Sequence, residues 1–117
     1  MPSSSVPDYS SVGLTFASAL ASRDYPTAYA MTSSDYQRKT TIKEMRAAFE
    51  AIVPTDWRTV GPVEVGHVME TWPAKQPSDV GWVYINIGGD VYSEAVTVVV
   101  MLEADTLKVR GVEFGRP

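Results

Sequence analysis

Apolar positions along the chain change their period once, at Pro54. Before it they recur every three or four residues; after it they alternate. Val12, Phe16, Ala19 and Leu20 share one helical face, with Asp8, Ser10 and Ser11 as capping oxygens, which predicts a helix from about Tyr9 to Ser22. Asp24 can cap a second, short helix whose first turn holds Pro26, where a missing N–H costs little. Ala28, Tyr29 and Met31 continue it, and the turn-forming run Thr32 to Asp35 ends it. Thr41-Ile42-Lys43-Glu44 is a capping box: hydroxyl and carboxylate can each satisfy an orphan backbone N–H. Ile42, Met45, Phe49 and Ile52 then form one stripe, so a third helix is expected from about Ile42 to Ile52, with Pro54 forbidding continuation.

In the second half, Val63, Val65, His67 and Met69 alternate with Glu64, Gly66, Val68 and Glu70, which reads as a strand. A proline-bearing loop, Trp72 to Asp79, leads to a second strand over Val80 to Ile87. Gly88-Gly89-Asp90 signals a tight turn, Val91 to Leu102 a third strand, and Leu107 to Phe114 a fourth, after a turn at Glu103 to Thr106. Successive hairpins make an antiparallel meander. Val96 to Leu102 is apolar on both faces, so one face packs on the helices and the other needs a cover: a partner, a second copy or the C-terminal tail. The expected fold class is α+β, with three N-terminal helices on a curved four-stranded antiparallel sheet. One domain spans 1–117: a loose N-terminus at 1–7, a helical part at 8–53 and the sheet at 54–117.

Composition narrows this picture little. With 117 residues, 44% hydrophobic and 21% charged, the chain fits one globular domain and neither a disordered segment nor a coiled coil. The absence of cysteine excludes disulfides, iron–sulfur clusters and thiolate zinc sites. The longest strongly apolar run, Ala95 to Leu102, is far short of the ~20 residues a membrane helix needs. The N-terminus lacks the basic and apolar regions of a secretory signal, so a cytoplasmic protein without membrane contact is expected.

Charge is more informative. Residues 1–53 carry five acids and five bases; residues 54–117 carry nine acids and five bases and account for the net charge of −4. An acidic sheet half lacks the basic footprint that phosphates require, so nucleic acid is not an expected partner. It suits a basic protein partner, and it equally serves solubility.

A long helix, a short helix opened by Asp24-Tyr25-Pro26-Thr27-Ala28-Tyr29, a third helix and a four-stranded meander together resemble the nuclear transport factor two-like superfamily. Ser18 to Tyr29 is similar to the first helix-to-helix junction of that group, and Val109 to Gly115 to its final edge strand. The resemblance covers nearly the whole chain and implies a bent sheet curled into a cone around the long helix. It implies no single activity, since the superfamily hosts isomerases, hydrolases, dehydratases, carriers, assembly domains and immunity proteins against toxins.

Three residues are candidates for a pocket in such a cone: His67, Tyr29 and Tyr84. His67, the sole histidine, falls on the apolar side of its strand, and imidazole titrates near neutral pH, as a general base requires. A packed histidine is the plainer reading, and Tyr25 and Tyr29, four apart on a helix, suit core packing. Tyr25, Asp35, Asp56 and Tyr92 have the residue types of an isomerase site but no spacing that marks one. No acid cluster accompanies the histidine, so no metal site and no cofactor are expected. Arg38, Lys39, Lys43 and Arg46 form a basic patch, most simply a solvated helix face. Trp57 and Trp82 read as core or cavity walls. Trp72, in its loop, reads as an interface anchor or a lid. With the acids Glu64, Glu70, Asp79, Asp90 and Glu94 it makes up the candidate partner surface. The resulting expectation is a non-catalytic protein-binding domain, most concretely a bacterial immunity protein that neutralises a basic toxin domain. The alternatives are a cone-cavity enzyme or carrier of isomerase or dehydratase type, and a homodimer through the sheet face.

Overall fold

The computed structural model describes residues 8–58, 60–89 and 92–115. The first half folds as α1 (Asp8–Ala21), α2 (Tyr25–Ala30), α3 (Ser34–Lys39) and α4 (Ile42–Ile52). The second half forms β1 (Val60–Met69), β2 (Asp79–Gly89), β3 (Ser93–Glu103) and β4 (Thr106–Phe114). The strands follow the order β1-β2-β3-β4, all antiparallel, in one open sheet. The fold class is α+β, as the change of period predicts.

One helix more is present than the three expected. The run Thr32 to Asp35 does not simply end α2: Ser33 caps α3, its hydroxyl accepting from the Tyr36 N–H at 3.1 Å. Tyr36 is the one buried residue of α3, so no apolar stripe announces it. The capping box of α4 forms as read, with Thr41 Oγ1 accepting from Glu44 N–H and Glu44 Oε1 accepting from Thr41 N–H. In its stripe Met45 and Phe49 are fully buried, Ile52 is half-buried and Ile42 is exposed.

The junction between α1 and α2 shows how a local sequence sets tertiary contacts. Asp24 N–H reaches Ala19 O and Arg23 N–H reaches Leu20 O, both at 2.9 Å, which closes α1 with a left-handed residue, Arg23 (φ 63°). A side chain in that conformation carries a local cost. Arg23 offsets it elsewhere: its guanidinium donates to the carbonyls of Val53 (2.9 Å) and Pro54 (3.0 Å) and sits over the Phe49 ring. The end of α1 is thereby tied to the end of α4.

The helices cover one face of the sheet. A methyl at Gly13 of α1 would lie 3.1 Å from Val83, so helix and strand approach as closely as glycine allows. Val83, Ile85 and Ile87 of β2 and Val96, Val98 and Val100 of β3 point to this inner face and are fully buried against Phe16, Leu20, Met45 and Phe49. Their neighbours Trp82, Tyr84, Thr97 and Val99 alternate onto the outer face.

Candidate functional site

The outer face is organised by an irregularity in β1. Val63 pairs with Ile87 and Val65 with Ile85, both on the inner face, but His67 pairs with Tyr84 on the outer face. The extra residue is Gly66, a bulge between Val65 and His67. Strict alternation places His67 beside Val63 and Val65; the bulge moves it to the opposite face, and Val68, paired with Val83, returns to the inner one. His67 is therefore exposed on the outer face, neither packed inside nor on a cavity wall. Gly66 suits the bulge because its backbone lies under Asn86 and Tyr84: a Cβ there would meet Asn86 Nδ2 at 2.5 Å and Tyr84 Cδ2 at 3.3 Å.

His67 joins an aromatic row. Its ring meets Trp82 edge-on, centroids 6.1 Å apart at 74°, and Trp82 lies nearly parallel to Tyr84, 6.2 Å apart at 13°. Such contacts add about 0.5–1.5 kcal/mol each beyond area burial. Trp82 is thus half-buried on the outer face and not in the core. Met69 and Val99, its two register partners, flank it. Trp57 does pack inward, over Gly89.

Acids border this row. Glu64, opposite Asn86, and Glu113, opposite Thr97, are exposed on the outer strands, and among the described residues neither has an ion-pair partner. The nearby bases are engaged: Lys108 Nζ donates to the Ala30 carbonyl, and Arg110 pairs with Asp79. Asp79 accordingly lies inside the molecule, its carboxylate held by Arg110, and offers no charge to a partner. Glu70 is exposed, and Glu94 is half-buried opposite Ile87. Asp90 lies outside the described residues. Trp72 is half-buried, with Lys75 Nζ 5.8 Å from its ring centre and bonded to the Glu70 carbonyl.

Of the three pocket candidates, the fold brings His67 and Tyr84 together and leaves Tyr29 apart. Tyr29 sits on α2, where its hydroxyl donates to the Thr40 carbonyl at 2.7 Å. The space between helices and sheet is occupied by the fully buried side chains of Phe16, Leu20, Met45 and Phe49.

The basic patch is partly neutralised. Arg38 and Lys39 both pair with Asp35, and Arg46 pairs with Glu50. Glu50 also accepts from the Tyr25 hydroxyl at 2.7 Å. That bond and then the Arg46 charge hold its carboxyl below the usual range. Among the described residues no three potential ligands gather as a metal site would require, and no helix is long and apolar enough to cross a membrane.

The aromatic row had one signal in the sequence: Trp82 and Tyr84 are two apart in a strand and so share a face. Which face, and the company of His67, depend on the register. Compared with known protein families, characterised proteins and solved structures, the chain matches none.

Proposed function

We propose that this chain is a non-catalytic protein-binding domain that docks a basic partner on the outer face of its sheet, with Trp82 as anchor. The observation that carries the reading is the row His67–Trp82–Tyr84 bordered by Glu64 and Glu113, acids without ion-pair partners among the described residues. A half-exposed tryptophan on a rigid strand suits an interface hot spot, and uncompensated acids steer a basic surface towards it. The order of elements supports placing the chain in the nuclear transport factor two-like superfamily, with its sheet bent as a cone. Within that reading the most concrete form is an immunity protein that masks a basic toxin domain.

The test is a calorimetric titration of the purified chain with the purified products of adjacent genes. A basic product should bind, and Trp82→Ala should weaken it by about 2 kcal/mol or more. Glu64→Lys should slow association. No binding by any neighbour product, or equal binding by Trp82→Ala, overturns the proposal. A concentration-dependent doubling of mass without partner would favour the second-copy alternative instead.

A further inference from the structure

The two edges of the sheet differ. Along β4, Thr32 bridges Val109 in parallel: Ser33 N–H donates to the Val109 carbonyl and Val109 N–H donates to the Met31 carbonyl, each at 2.8 Å. Along β1, among the described residues, no segment pairs with the outer side. An unpaired edge is a row of backbone donors and acceptors that can accept another strand, and proteins blunt such edges with lysine, proline or a bulge; β1 has Pro62 near its start and the bulge at Gly66, which an added strand must follow. β1 has no lysine or arginine. Its charged side chain is Glu64, with Glu70 directly after the strand. Its inner row is apolar and incompletely covered: Val63 and Val68 are half-buried and Val65 is 37% exposed. Pro62, which cannot donate to a ladder, confines regular pairing to the residues after it.

We infer that β1, over Val63 to Met69, is a docking edge that takes an extended segment of a basic protein as an added strand. The apolar residues of that segment extend the row Val63, Val65 and Val68, and its alternate lysines or arginines lie beside Glu64. Main-chain hydrogen bonds supply the attraction, and the alternation of apolar and basic residues supplies the selectivity. This inference rests on the protein-binding reading above and adds which backbone the partner uses.

A short peptide of alternating valine and lysine, added to the full chain, tests it by amide hydrogen exchange. Exchange should slow at residues 63–69, and an otherwise equal peptide of alternating valine and glutamate should not slow it. Val65→Lys, which places an inward charge on the edge, should weaken the valine–lysine peptide roughly tenfold or more at an unchanged melting temperature. Should that variant fail to fold, Glu64→Lys, at an exposed site, provides the same readout. Protection that is absent, lies elsewhere or is equal for both peptides overturns the inference. If β1 stays unprotected while Trp82→Ala still abolishes binding of a neighbour-encoded partner, the edge alone is refuted. If the peptide protects β1 but no partner depends on Trp82, the outer-face reading is the one that fails.

Discussion

Arg110 on β4 reaches across β3 to Asp79 at the start of β2, donating from Nε to Oδ1 at 2.6 Å and from Nη2 to Oδ2 at 2.7 Å. The Gln76 N–H donates to the same carboxylate at 2.8 Å, so the pair also fixes the end of the loop after β1. The partners are unequally placed: the Asp79 side chain has no exposed surface, whereas that of Arg110 is 24% exposed. Arg110→Ala strands a buried carboxylate and should cost about 3 kcal/mol. Asp79→Ala leaves a guanidinium that can reach water and should cost less. Urea unfolding of both variants checks the order, and an Asp79→Leu, Arg110→Met double variant should recover much of the loss.

The glycines of the sheet should rank by what their missing methyl would strike. At Gly81 it would fall 2.0 Å from the buried Tyr9 ring; at Gly66 its nearest neighbour is the amide of exposed Asn86, which can swing away. Gly81→Ala should therefore destabilise by about 1–3 kcal/mol, as overpacking does, and Gly66→Ala by clearly less. Melting temperatures of the pair decide it.

Between Glu103 and Thr106, which pair in register, Ala104 (φ 49°) and Asp105 (φ 66°) are both left-handed. Two such residues make the hairpin turn that asparagine and glycine favour. Alanine there stores a backbone cost of about 1 kcal/mol. Ala104→Asn with Asp105→Gly should raise stability by about that amount, read as a higher urea midpoint at constant slope.

The pH dependence should be set by tyrosines on the alkaline side. Burial pushes the Tyr36 hydroxyl up to about 12 and raises those of Tyr9 and Tyr25. The unfolded chain releases these protons first, near pH ~10, so stability held below that value is lost as pH climbs towards the folded values. Tyr36→Phe should flatten this alkaline loss. On the acid side the sign reverses. The depressed Glu50 carboxyl contributes stability above its unfolded value of ~4.3, lost as pH falls through the folded one, and Glu50→Gln should soften that limb.

What the sequence discloses depends on how local the cause is. The capping box at Thr41 and Glu44 and the buried pair Met45 and Phe49 lie within one helix, so spacing alone reveals them. The helix α3 escapes because it buries a single side chain, Tyr36, and polar residues supply its caps. His67 is misplaced by alternation because Gly66 inserts one residue, and a glycine in a strand signals a bulge without fixing its position. The candidate site is legible only in part: Trp82 and Tyr84 share a face by spacing, but the approach of His67 and the capture of Asp79 by Arg110 arise from pairing between strands far apart in sequence.

The bridge from Thr32 to Val109 also bears on growth. Edge-to-edge assembly propagates only when each added unit presents a fresh edge. Here Met31 to Ser33 occupy the far side of β4 at Val109, so a chain that stacks its β1 along the β4 of another must first displace that segment. Among the described residues, repeated stacking of these sheets into a fibre thus meets an obstacle at Val109 that the addition of one strand along β1 does not.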